Sequence, residues 1–435
     1  MTNKGMSFFM KSGGIAAIAV LLILLHASFA RAQTTYMASL DAFLVASNDA
    51  AAAQATEGED QKPKFDIYGF AMLDTGYQGK QNDPNWFDVV RPTKLPAFEN
   101  QFGEDGRWFA GVRQSRFGVK SYFPTELGEL RTTFEFELFG TGVDQGQTTF
   151  RLRHAYGELG QFGAGQTWSP FMDIDVFPNS IEYWGPTGMV FFRNVQVRWM
   201  PIQGESRLTI AIERPGASAD AGAIADRIEL QDVRGRFPVP DISAEYRYGG
   251  NEWGYVEVAG IFRKMYIDDL NTDQFDLDQD LTGWGINLSS NLKFAKDTLR
   301  LQYVFGEGIQ NYMNDAPVDV GAKANPGNAI SPVEGEALPL QGLVIFLDHT
   351  WSDQWTSSFG YSRIDIDNSD LQNANAFKVG QYALGNLLYY PAKNVMMGGE
   401  FQWGRRENFA DGFEVDDYRI QFSFKYNFSY SLGGE

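Results

Sequence analysis

Seven arginines crowd the first half of this sequence: Arg113, Arg116, Arg131, Arg151, Arg153, Arg193 and Arg198. A guanidinium is planar, stays charged and presents paired N–H donors that match a carboxylate, so several on one surface can attract and orient small organic anions. Between Arg153 and Arg193 lies the stretch Ser169 to Gly188, which carries Asp173, Asp175 and Glu182 among apolar residues such as Phe171, Met172, Phe177 and Trp184. Its composition is out of character for an exposed loop and suits a connection folded inward against a wall. The three acids would then reach the interior, where a basic wall facing an acidic loop sets up a transverse field that sorts solutes by charge. A second reading stays open for each arginine, namely pairing with Glu129, Glu135, Glu137 or Glu158 on adjacent segments. Arg113 and Arg116 are three apart and would face opposite ways in a regular strand. An arginine turned to lipid at mid-depth costs roughly 2–4 kcal/mol, so a β-bulge between them or burial of one at a subunit interface is expected.

Catalysis finds little footing. Beyond His26 the sequence holds only His154 and His349. The first shares alternation parity with Leu152 and Tyr156, the second with Ile345 and Leu347, so both are expected on an outward apolar face where a general base would serve no site. Glu135 and Glu137 are paired acids, but on an alternating strand they read as ordinary charges of a wet face. Gly142 to Gly146 lacks the context of a phosphate loop, and no histidine–carboxylate spacing suggests a catalytic metal. No enzyme activity, cofactor or metal is expected. Calcium is left open for acidic connections such as the one holding Asp268, Asp269, Asp273, Asp276, Asp278 and Asp280.

The elements that must carry these arginines alternate with period two from Phe65 onward. Leu130, Thr132, Phe134, Phe136 and Leu138 share one face, and Glu129, Arg131, Thr133, Glu135 and Glu137 the other. At the end of the chain Ile420, Phe422, Phe424, Tyr426, Phe428 and Tyr430 oppose Arg419, Gln421, Ser423, Lys425, Asn427 and Ser429. About sixteen such segments follow one another, and short links such as Gly250-Asn251 and Pro391-Ala392 alternate with long ones such as 79–106, 169–188 and 311–340. An even strand number with alternating short and long links predicts an all-β transmembrane barrel over residues 65–435, antiparallel throughout, with the third long connection folded inward. A secreted β-sandwich would not require the strict ordering of links and would carry polar residues outside. Aromatic residues make up 15% of the chain, which also holds 46 glycines and no cysteine, as suits strands, tight turns and an aromatic girdle.

The N-terminus bears Lys4 and Lys11, the apolar run Ile15 to Leu25, and Ala30-Arg31-Ala32, in the order of a secretory signal peptide cleaved after Ala32. Residues 33–64 are expected to form a periplasmic segment, either a short helix with Met37, Leu40 and Leu44 at helical spacing or a disordered tail. Residues 1–32 hold three cations and no acid, so their loss takes the formal charge from −19 to −22. Such acidity excludes nucleic acid as a partner. It does not report the sign inside a barrel, because exposed connections hold much of the acid.

Arg113-Gln-Ser-Arg-Phe-Gly-Val-Lys120, Arg153-His-Ala-Tyr-Gly157 and Gly165-Gln-Thr-Trp-Ser-Pro-Phe-Met-Asp173, followed by Asp175, Pro178 and Gly185-Pro186, resemble the DcaP-like outer-membrane porins. The resemblance implies a homotrimer of sixteen-stranded barrels in the outer membrane of a Gram-negative bacterium, in contact with lipid and lipopolysaccharide. It also implies passage of small anionic solutes such as dicarboxylates. A non-selective general porin and a structural or adhesive barrel are the alternative readings. Two features depart from the family's pattern: Pro170 stands where a small hydroxylated or amide residue is expected, and the chain continues past Phe428.

Overall fold

The computed structural model describes residues 62–434 apart from Asn251. The expected signal peptide and nearly all of the 33–64 segment lie outside the described residues. From Lys64 the chain forms sixteen antiparallel strands that close into a barrel. They begin with β1 (Lys64–Gln78), β2 (Arg107–Gly111 continued by Arg116–Thr125), β3 (Gly128–Phe139), β4 (Thr148–Leu159), β5 (Phe162–Trp168), β6 (Arg193–Ile202), β7 (Arg207–Glu213) and β8 (Asp241–Gly250). The second half comprises β9 (Gly254–Asp269), β10 (Gln279–Phe294), β11 (Asp297–Glu307), β12 (Pro339–Ser352), β13 (Trp355–Ile366), β14 (Phe377–Ala392), β15 (Val395–Asn408) and β16 (Glu414–Gly433). Closure is made at β1, where Phe70 pairs with Arg116 of β2 on one side and Asn427 of β16 on the other. Beyond Phe428 the chain remains in the wall, with Leu432 opposite Phe65.

The alternation read in the sequence sorts by exposure. On β8, Asp241, Ser243, Glu245 and Arg247 are buried while Ile242, Tyr246 and Tyr248 are exposed. On β16, Asp417, Arg419, Gln421 and Ser423 are buried against exposed Tyr418, Ile420, Phe422 and Phe424. Polar residues inside and an apolar belt outside are the reverse of a water-soluble fold and require lipid around the wall. No helix among the described residues is long and apolar enough to cross a membrane, and the crossing is made by strands. Links of a few residues join strands at one end of the barrel, and long connections at the other. Two long connections pair with each other, Val320–Ala324 lying beside both Val333–Ala337 and Ala219–Asp220.

Two irregularities decide which side chains point inward. Between Gly111 and Arg116 the strand is broken by a turn in which Ser115 N–H donates to Val112 O at 3.0 Å. The spacing of Arg113 and Arg116 is absorbed there, and neither faces lipid. On β4, Glu135 pairs with His154 but Phe136 pairs with Leu152, so Arg153 is the extra residue of a β-bulge. A one-residue slip exchanges faces, and His154 therefore turns inward together with Tyr156, contrary to the outward place both were expected to share with Leu152. His349 keeps its outward parity and lies against Asp297 and Trp351.

Candidate functional site

Residues 169–192 join β5 to β6, and their polar groups meet inward-facing side chains of one strand after another. Phe171 O accepts from Asn287 Nδ2 of β10 at 2.9 Å. Asp173, fully buried, accepts from Arg247 Nη2 of β8 at 2.7 Å, Tyr255 Oη of β9 at 2.7 Å and Ser289 Oγ of β10 at 2.6 Å. Asp175 takes the same guanidinium at 2.6 Å and remains about half exposed, at 49%. Farther on, Asn179 O accepts from Asn386 Nδ2 of β14 at 2.7 Å, and Ser180 Oγ and Ile181 N–H both donate to Glu400 of β15 at 3.0 Å. Ile181 O accepts from Gln421 of β16 at 3.0 Å and from Gln114 at 2.8 Å. Glu182 is buried 3.7 Å from Arg419 of β16, and Tyr183 Oη donates to Glu137 of β3. Burial pushes the Glu182 carboxyl up to about 7, with the Arg419 guanidinium pulling the other way. Of the three acids expected to reach the interior, Asp173 and Glu182 are thus occupied in anchoring the connection, and only Asp175 stays accessible.

The arginines separate into four groups. Arg113 is buried against Asp88 and donates to Gly140 O and Gln147 O, tying the first two long connections together. Arg131 lies at the end of the barrel that holds the short links, 59% exposed, with Glu129 at 2.7 Å. Four others, Arg116, Arg151, Arg153 and Arg193, converge on the wall beside Tyr183. Arg153 donates to Glu135 through Nε and to Glu137 through Nη1, both at 2.6 Å. Arg116 stands 3.3 Å, Arg151 3.7 Å and Arg193 3.9 Å from Glu137. Arg198 has no carboxylate partner and donates to Gln196 Oε1 at 3.0 Å and 2.8 Å and to Trp168 O.

Four guanidiniums share two carboxylates in this cluster, which leaves positive charge in excess. Arg116 Nε and Arg193 Nη1, both buried atoms, have no hydrogen-bond partner among the described residues. An open cavity of about 450 Å³ lies against the cluster, lined among others by Arg116, Arg153, His154 and Lys425. Guanidinium N–H groups that face open space, such as those of the quarter-exposed Arg116, can donate to the oxygens of a passing anion. Among the described residues no group of His, Asp and Glu is arranged to hold a metal ion.

The sequence reading missed Arg247 and Arg419, the cations that receive the connection's acids, and it missed Tyr183. Their inward parity on β8 and β16 was legible, but which acid each would meet was not, because the partners come from strands far along the chain.

The family model described as DcaP outer membrane protein matches residues 45–428. No curated protein sequence matches. Among solved structures, the outer membrane channel DcaP of Acinetobacter baumannii is similar at 20% identity and a TM-score of 0.68, over 86% of this chain and 99% of that one. An anion-selective porin from Comamonas acidovorans is similar at 11% identity and a TM-score of 0.53, over 84% and 100%. OmpT of Vibrio cholerae in its trimer form is similar at 13% identity and a TM-score of 0.50, over 84% and 99%.

Proposed function

The chain belongs to the DcaP outer membrane protein family, and we propose that this outer-membrane porin is a passive diffusion channel preferring small anions such as dicarboxylates. The observation that carries the reading is the cluster of Arg116, Arg151, Arg153 and Arg193 around only two carboxylates, Glu135 and Glu137, beside an open cavity. In a narrow, partly desolvated passage a fixed guanidinium attracts a carboxylate more strongly than in bulk water, and salt screens it less. Within the cluster the roles divide by exposure. Arg153, 6% exposed, holds the two acids, whereas Arg116 and Arg151, at 25% and 29%, are the groups a solute meets. Several modest sites in series favour transit over one tight site, which would trap the solute.

In this reading the 169–192 connection is the inward-folded third loop that narrows the lumen, supported by its bonds to inward-facing residues of β8, β9, β10, β14, β15, β16 and β3. A homotrimer is the assembly we infer, in keeping with the fold shared with OmpT in its trimer form. The anion preference named for the Comamonas acidovorans porin is carried over only as support. The reading is tested by the reversal potential of the purified protein in a planar bilayer under a potassium chloride gradient. Anion preference is expected, weakened in the Arg116→Ala/Arg151→Ala variant. Cation preference in the unmodified protein, or an unchanged potential in the double variant, would leave a general porin.

A further inference from the structure

Two cavities share a short stretch of wall. The outer, of about 310 Å³, is built from the long connections and lined by Trp86, Arg91, Thr141, Arg151 and Asn314. The inner, of about 450 Å³, is built from mid-strand residues of the wall, among them Phe70, Arg116, Arg153 and Lys425. Tyr183 and Phe191 line both. The Tyr183 ring stacks on Phe139, with centroids 3.8 Å apart and planes 8° from parallel. Its hydroxyl donates to Glu137 and accepts from Arg151 Nη1 at 3.2 Å. The backbone on either side is held independently: Glu182 accepts from Val90 N–H at 3.2 Å, and Trp184 Nε1 donates to Asn314 O at 2.8 Å.

We propose that Tyr183 is the partition between an outer and an inner chamber of the passage, latched shut against Glu137, and that its ring sets the size limit for solutes. The placement of charge follows the same division. Arg151 faces the outer chamber, while Arg116 and Arg153 face the inner, so an anion handed from one to the next passes the edge of this ring. Glu137 is fully buried and fixed by Arg153, which makes it a rigid strike plate for the phenol. The phenol itself turns about only two side-chain bonds and breaks two hydrogen bonds to leave, one to Glu137 and one from Arg151.

The proposal deepens the channel reading and rests on it, so its test uses neutral probes whose passage does not depend on charge preference. The intact protein and two variants are reconstituted in planar bilayers, and single-channel conductance is measured with neutral poly(ethylene glycol)s of graded size. Tyr183→Ala is expected to raise the conductance and shift the polymer cut-off to larger sizes by merging the chambers. Tyr183→Phe keeps the ring and loses the latch. It is expected to visit the same wider level, with an occupancy raised roughly tenfold or more, since even one of the two lost hydrogen bonds to charged groups carries about that factor. Native conductance and cut-off in Tyr183→Ala would overturn the proposal. If Tyr183→Ala does not assemble, a Tyr183→Phe channel with no wider level overturns it alone. The sign of the reversal potential reports separately on anion preference.

Discussion

Glu182 lies on a connection and not on a strand, and it is buried beside Arg419, Glu400 and Tyr382. Burial keeps its proton up to about pH 7 in the fold, whereas the unfolded chain releases it near 4.5. Between those values the folded protein binds more protons than the unfolded chain. Stability from this group is therefore present at the acid end and falls as pH rises toward 7, by up to about 1.4 kcal/mol per pH unit. The urea midpoint in detergent should drop between about pH 5 and about pH 7.5, and Glu182→Gln should flatten that slope. An undiminished slope in the variant would assign the titration to another group. At this scale the sequence identified the right kinds of residue but not their employment. Arg113 and Arg153 are equally plausible wall cations on paper, yet one ties two connections to each other while the other organises the charged cluster. His154 was misplaced outright, since a single extra residue at Arg153 reverses the parity by which its face was judged.

Among elements, the connection between β5 and β6 is the one whose removal has the clearest consequence. It is held by contacts to strands that close around it and contributes none of the wall's own strand pairing. Deleting Pro170 to Pro186 should leave a folded barrel with higher single-channel conductance. An unchanged conductance in a correctly folded deletion would place the narrowest point at another connection. That the connection would find a surface to cover was anticipated from its composition, because it is long and rich in aromatic and apolar residues. Its route was not, since every anchor is a side chain far off in sequence, such as Arg247, which lies 74 residues from Asp173. The break between Gly111 and Arg116 shows the opposite case. Two arginines three apart on a membrane strand called for an irregularity or for burial of one at a subunit interface, and the strand is interrupted just there.

The whole molecule is a wall with its polar side enclosed and its aromatic side outward, and that arrangement sets how it behaves in solution. The barrel should extract only with detergent and should migrate differently on gels before and after heating, because the closed hydrogen-bonded sheet resists denaturant until thermally unfolded. Recovery of the chain as a monodisperse soluble protein without detergent would contradict the membrane assignment. Strand number, direction and, away from the bulge at Arg153, facing were legible in the sequence, because alternation and link length are local properties that each segment expresses without knowledge of its neighbours. The apolar belt alone determined that lipid must surround the sheet. Only the tertiary structure decided that four arginines gather on Glu135 and Glu137, that Asp173 and Glu182 are taken up as anchors, and that Tyr183 stands between two cavities. Those outcomes depend on register, on one bulge and on a connection that crosses to distant strands. A shift of one residue in any of them would exchange inside for outside, and no local pattern in the chain encodes which distant partner will lie opposite.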